Sequence, residues 1–274
     1  MYDLPRITLG RTGLEVTRLG VGGAYCDNAD TYRAALDCGV NYVDTARIYR
    51  DGKDEAVIGE AIAGRRDDLV IATKSDSRDA AGARRDLETS LHDLGTDHVD
   101  IWQIHYLNTA AEREQVLSPG GALSAALKAR DEGLVRFIGV TGHVWPEIQA
   151  AVASGVFDTV LCWYNCAYKD AETTIFPEAD IYGTGVVIMN ASRNDKLFAP
   201  PEMPADEAPD EVDFYRYVLS HPQVGVTLVG LRDLDRFRRI AAGLAERETL
   251  SPEEMRALEA YGAARRAAGV LEMG

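Results

Sequence analysis

The chain has 274 residues, 46% of them hydrophobic and 27% charged, with a formal net charge of −15. That length accommodates one α/β barrel of about 250 residues as readily as two smaller domains. The negative charge argues against nucleic acid or an anionic membrane surface as a partner, because either would be repelled.

Cys26, Cys38, Cys162 and Cys166 form no Cys-x-x-Cys pair and have no histidines at metal-ligand spacing. They read as small buried hydrophobes in a reducing cytosol, and no metal site is expected. The opening MYDLPRITLG lacks the basic patch and apolar run of a secretory signal. No stretch approaches the ~20 apolar residues of a membrane span, so the expected location is the cytoplasm.

Residues 7–16 read as a hairpin, two short β-prone runs around Gly10-Arg11-Thr12-Gly13. From there β-prone runs alternate with segments of helical period. Strand 18–22 leads to helix 30–38, strand 40–44 to helix 54–63, strand 69–73 to helix 80–94, and strand 99–103 to helix 121–132. Strand 137–140 leads to helix 146–154, strand 159–163 to helix 171–182, strand 185–189 to helix 210–220, and strand 227–229 to helix 233–246. Gly133, Gly155 and Gly183 stand where left-handed helix stops are expected. Ser251-Pro252-Glu253-Glu254 starts a further helix, with serine as cap and proline in the first turn.

Eight alternations imply parallel strands with right-handed crossovers. The predicted fold is a (β/α)8 TIM barrel spanning residues 1–274 as one domain. The hairpin plugs its bottom, and a C-terminal helix and tail follow the last barrel helix.

In that arrangement Asp44, Tyr49, Lys74 and His105 all emerge at one rim, because each stands just after an apolar run, in VDTARIY, IATK and DIWQIH. A carboxylate, a phenol, an ammonium and an imidazole at one point make an acid of tunable proton affinity. Taken singly each has a plainer role: helix cap, packed tyrosine, solvated lysine, satisfied core histidine. Two connections on the same rim are long, 106–120 and 191–209, and long connections in compact domains are commonly binding loops or lids.

The segments LGRTGLEVTRLGVGG, ALDCGVNYVDTARIY, EAVIGEAI, SLHDLGTDHVDIWQIH, EGLVRFIGVTGH and YVLSHPQV together resemble the aldo-keto reductase superfamily from Leu9 to about Ala260. The resemblance implies a barrel that transfers hydride between a nicotinamide cofactor and a carbonyl, without a metal and without a Rossmann domain. Asp44, Tyr49, Lys74 and His105 would then be a catalytic tetrad. Tyr49 would give a proton to the carbonyl oxygen, Lys74 would lower the Tyr49 pKa, Asp44 would hold Lys74, and His105 would orient the carbonyl.

By the same resemblance Thr141 would meet the nicotinamide carboxamide, Asn165, matching the YN that ends its strand in relatives, would be a cofactor-binding residue, and Arg193 would meet a phosphate. Arg232 and Arg236, in a cluster with Arg238 and Arg239, would meet the adenosine phosphate. Arginine forks suit a phosphate monoester, which favours NADPH as the NADP form of the cofactor, with NAD possible. The chain departs from relatives at Leu161, where a glutamine is common, at Gly142-His143, at Met189 to Arg193, and at Arg239-Ile240 in place of a Glu-Asn pair.

Tyr25, Arg47, Arg50, Tyr106, Trp163 and the tail 270–274 are candidate pocket walls for a small carbonyl or sugar substrate, whereas Trp102 and Trp145 are expected to pack between barrel and helices. Two further classes stay open: a non-redox acid/base enzyme on the same barrel, and a nucleotide-binding regulatory protein. Oligomeric state is not legible.

Overall fold

A computed structural model describes residues 1–198, 208–269 and 271. The hairpin pairs β1 (Arg6–Thr8) with β2 (Glu15–Thr17) in antiparallel register, Ile7 opposite Val16, around a single helical turn at Gly10–Thr12. The barrel then begins. Its elements are β3 (Leu19–Gly22), α1 (Ala29–Leu36), β4 (Tyr42–Asp44), α2 (Asp54–Ile62), β5 (Val70–Ser75), α3 (Ala80–Leu94), β6 (Val99–Ile104), α4 (Ala110–Leu117) and α5 (Ala122–Asp131). There follow β7 (Val135–Thr141), α6 (Trp145–Ala153), β8 (Thr159–Trp163), α7 (Ile175–Tyr182), β9 (Gly185–Met189), α8 (Glu211–Leu219), β10 (Val224–Gly230), α9 (Leu234–Glu246) and α10 (Pro252–Ala267).

Strands β3 to β10 close into one parallel barrel in sequence order, β10 returning to pair with β3. Every predicted strand and helix is present. β7 and β10 extend beyond the runs seen in the sequence, because the flanking residues continue the ladders with β6 and with β3 and β9.

The barrel has two cores. The interior is filled by Tyr42, Val70, Ala72, Ile101, Leu161, Val187, Val226 and Leu228, and the hairpin adds Leu9, Leu14 and Val16 from below. A Cβ on Gly185 would stand 2.7 Å from Leu9 Cγ, so only glycine lets the plug approach β9 this closely. Arg11 anchors the plug by donating to Asp158 Oδ1 at 3.0 Å and to the carbonyls of Gly155, Phe157 and Tyr182. The second core lies between strands and helices and includes Trp102, with Trp145 packed at its edge.

Two segments differ from expectation. The connection 106–120 contains α4, whose start is fixed by a reciprocal capping box between Thr109 and Glu112. The predicted helix 171–182 splits into a single turn at Asp170–Glu172 and α7, because Pro177 lacks an N–H and is tolerated only in a first turn. Gly133, Gly155 and Gly183 are left-handed, with φ of 78°, 71° and 65°, and Ser251 and Glu254 form the capping box of α10. Among the described residues no helix is long and apolar enough to cross a membrane, no group of acidic, His or Cys residues could hold a metal, and all four cysteines are free and buried.

Candidate active site

Parallel pairing in register brings the ends of β4, β5 and β6 side by side, with Asp44 beside Ala72 and Lys74 beside Gln103. The Lys74 ammonium is wholly buried. It lies 2.5 Å from Asp44 Oδ1, 2.6 Å from the Thr45 carbonyl and 3.3 Å from the Tyr49 hydroxyl, so its three donors are all directed. Gln103 Nε2 donates to the other Asp44 oxygen at 2.9 Å. Tyr49 opens a helical turn whose next two residues, Arg50 and Asp51, are left-handed with φ of 52° and 57°. The His105 ring meets Tyr49 edge to face, with centroids 5.9 Å apart, and stacks on Tyr106 at 3.7 Å.

The electrostatics follow from burial and charge together. Burial raises the Tyr49 phenol above its ordinary range, and the attraction of Lys74 offsets this only in part. Burial opposes the charge on Lys74, but Asp44 and Tyr49 together more than restore it, so the ammonium stays protonated. Burial and the Lys74 cation hold the His105 imidazole down to about 2, which keeps it neutral. Its Nδ1 is buried without a hydrogen-bond partner.

A cavity of about 630 Å³ opens over Asp44 and Tyr49 at the C-terminal end of the barrel. Tyr25, Asp44, Tyr49, Tyr106, His143 and Trp163 line it, together with Leu161, Met189, residues 190–196, Arg232 and Arg236. The phenol can donate to an oxygen on a bound molecule; His105, expected beside it, does not line the cavity, because Tyr106 stacks on its ring and lines the cavity in its place.

The Aldo/keto reductase family model matches residues 19–193. The chain belongs to the aldo/keto reductase family. It is 29% identical to aldo-keto reductase YhdN of Bacillus subtilis (strain 168) over 195 residues, 63% of this chain and 57% of that one. With L-galactose dehydrogenase of Arabidopsis thaliana it shares 25% identity over 289 residues, 90% of each chain. The chain thus spans somewhat over half of the Bacillus relative and most of the plant one. The holo form of aldo-keto reductase AKR11C1 from Bacillus halodurans superimposes with a TM-score of 0.81 over 94% of this chain and 96% of the other, at 22% identity, a likeness of fold.

Against the aldo/keto reductase pattern, several expected contacts are placed elsewhere. Arg47 does not line the cavity; it turns to Glu55 and Asp93, because a buried carboxylate needs a cation more than the open cleft does. Arg50 is likewise outside the lining, donating to the Cys26 carbonyl at 2.9 Å with Asp27 3.7 Å away. Thr141 is buried at the end of β7 and outside the lining, whereas His143 faces the cavity. Asn165 is a loop clamp: its amide donates to the Asn190 carbonyl at 2.9 Å, and its oxygen accepts from the backbones of Ala167 and Tyr168, both at 3.0 Å.

Arg193, Arg232 and Arg236 do line the cleft. Arg193 is buried, sits 4.9 Å over the Trp163 ring and donates to the Leu271 carbonyl at 2.9 Å, while its Nε has no partner. Arg232 stacks on Tyr25 at 4.0 Å. Arg236 binds Asp195 at 2.8 Å and also Glu211. Burial opposes its charge, and these carboxylates together with Tyr215 restore it. Arg238 pairs with Asp235 on the surface, and Arg239 lies 3.9 Å from Glu211.

Of the candidate pocket walls, Tyr25, Tyr106 and Trp163 line the cavity. In the tail only Leu271 falls within the described residues; 270 and 272–274 lie outside them, as do 199–207 of the connection expected as a lid. Sequence reasoning missed Gln103 as the second partner of Asp44. The signal was present, since Gln103 stands two residues before His105 on the same strand face.

Proposed function

We propose that the protein is an NADP(H)-dependent oxidoreductase that reduces an aldehyde or ketone, the same groups serving oxidation of a sugar or other alcohol in reverse. The observation that carries this reading is the Lys74 ammonium held between Asp44, at 2.5 Å, and the Tyr49 hydroxyl, at 3.3 Å.

Burial keeps the proton on Tyr49 at neutral pH, so the phenol can give it to an oxygen that is gaining negative charge. Lys74 stabilises the phenolate left behind, and Asp44, itself held by Gln103, keeps the ammonium in place. Neutral His105, in edge contact with Tyr49, is assigned to orienting the carbonyl without competing as an acid, and it would reach that oxygen past Tyr106, which lines the cavity.

The cleft fits a nicotinamide dinucleotide. Arg193, buried with an unpartnered Nε, offers a charge to a phosphate, and Arg232 and Arg236 offer two more in the same lining. Leu161 and Met189 give the cleft apolar walls. When bound, the dinucleotide supplies or accepts the hydride. The name of the Arabidopsis relative, L-galactose dehydrogenase, supports a sugar as the alcohol substrate.

Trp163 lines the cleft, so quenching of tryptophan fluorescence reports binding directly. Titration with NADPH and NADH is expected to show saturable binding that favours NADPH, followed by oxidation of NADPH in the presence of a small aldehyde. Absence of binding by both cofactors overturns the reading.

A further inference from the structure

Arg47 stands two residues before Tyr49, yet it points away from the cleft. Its guanidinium is 2.5 Å from Glu55 Oε2 and 2.7 Å from Asp93 Oδ2, and it also donates to the Gly52 carbonyl. Its backbone N–H donates to the Lys74 carbonyl at 3.1 Å. Glu55 is fully buried, and its Oε1 accepts from the Thr73 hydroxyl at 2.5 Å. Thr73 immediately precedes Lys74. One carboxylate therefore touches both sides: one oxygen accepts a hydrogen bond from the strand residue beside Lys74, and the other, which makes no hydrogen bond, pairs by charge with the arm that carries Tyr49.

The arm needs such a hold. Arg50 and Asp51 occupy left-handed backbone, which side-chain-bearing residues adopt only when their surroundings over-determine it. The Arg47 guanidinium closes this turn from inside by bonding Gly52 beyond it. A buried ion pair contributes little net stability, because desolvation offsets its attraction, and fixing one arrangement among several is its better-attested use.

We propose that Arg47 and Glu55 are positioning residues that set the contact between Lys74 and Tyr49, and through it the acidity of the phenol. The consequence for turnover rests on the reductase reading above; the consequence for the phenol does not. The titratable or charged groups facing Tyr49 are Lys74, Asp44, His105 and Tyr106. Arg47 and Glu55 act on it only through the arm and the strand.

The test places 3,5-difluorotyrosine at position 49, whose phenol is intrinsically more acidic than that of tyrosine, and follows its titration by fluorine NMR in the wild type, Arg47→Met and Glu55→Gln. Positioning predicts that both substitutions shift the titration upward, by about one unit, a tenfold loss of acidity, because each loosens the contact with Lys74. A through-space field predicts opposite signs, upward for the lost cation and downward for the lost anion, and that outcome overturns the proposal. So does an unchanged titration accompanied by a lower Tm, which would make the pair merely structural.

Should Arg47→Met not fold, Arg47→Lys keeps the charge but not the fork, and it is expected to shift the titration in the same direction by less. In turnover assays with natural tyrosine, Arg47→Met should lower kcat tenfold or more, leave the Kd for NADPH unchanged, and cause no further loss in a Tyr49→Phe background. Lack of turnover in the wild type would remove the reductase reading and leave the NMR test standing.

Discussion

Burial raises the Tyr49 phenol while the Lys74 ammonium, 3.3 Å away, pulls it back, so the proton is held yet can be released toward a developing oxyanion. Tyr49→Phe removes the proton and little else. Turnover is expected to fall by three orders of magnitude or more, whereas fluorescence titration should find NADPH affinity within twofold of the wild type; retained carbonyl reduction would sink the assignment. Elsewhere in the cavity lining, Asp195 occupies one arm of the Arg236 guanidinium. A 2′-phosphate must compete with that carboxylate, and a 2′-hydroxyl need not. Asp195→Asn is therefore expected to tighten NADPH severalfold with NADH unchanged, while Arg236→Ala should weaken NADPH by roughly 1.5–3 kcal/mol, the worth of a charge-assisted hydrogen bond. Equal changes for both cofactors by titration would make the arginine structural. The rim cluster was legible because Asp44, Lys74 and His105 stand at strand ends and Tyr49 on the short arm that follows β4. Arg47 was not, since its partner Asp93 lies 46 residues away and only the fold brings the two together. Asn165 shows a related effect: a polar residue at a strand end can serve the loop's own carbonyl and N–H groups as readily as a ligand.

Periodicity and turn chemistry carried the elements. The eight barrel strands and their helices stand where alternation of β-prone and helical runs puts them, because parallel strands buried on both faces read as short apolar runs. α4 escaped notice because eight residues with one buried side chain make a weak apolar stripe, although Thr109 and Glu112 spell its cap. The hairpin β1–β2 was legible as a hairpin, and its role as a plug depends on a contact that pattern alone does not contain. Leu9 fills the floor of the barrel against β9 and β10, where the glycines at 185 and 225 make room for it. Leu9→Ala would leave a cavity with rigid backbone on several sides that cannot collapse into it. We expect a loss of roughly 2–5 kcal/mol in urea unfolding, with the affinity for NADPH unchanged because the plug lies at the end opposite the cleft. A loss below about 1 kcal/mol, the range of a simple methylene deletion, would show that the hairpin floats on the barrel without sealing it.

For the molecule as a whole, closing the sheet gathers the strand ends into one rim and buries a histidine there beside a cation, which disfavours its protonation in the folded protein. His105 is held down to about 2 by burial first and by Lys74 second, against about 6.5 for a free imidazole. In that interval the unfolded chain takes up a proton at this position and the folded chain does not. The sign is therefore fixed: the penalty is absent above pH 6.5 and grows as pH falls, by ~1.4 kcal/mol per unit for one proton. Raw stability does not isolate this slope, because Asp44 and Glu55 are both raised by burial and titrate in the opposite sense. Relief of self-repulsion from the net charge of −15 also opposes it on acidification. Comparison with His105→Asn removes those shared contributions, since the variant keeps a polar side chain but cannot take up the proton. The difference in urea unfolding free energy between the two proteins should be constant above pH 7. Below 6.5 it should move steadily in favour of the variant. A difference that stays flat down to pH 5 would mean that the folded protein accommodates imidazolium at the rim, and that His105 is able to act as a second proton donor beside Tyr49.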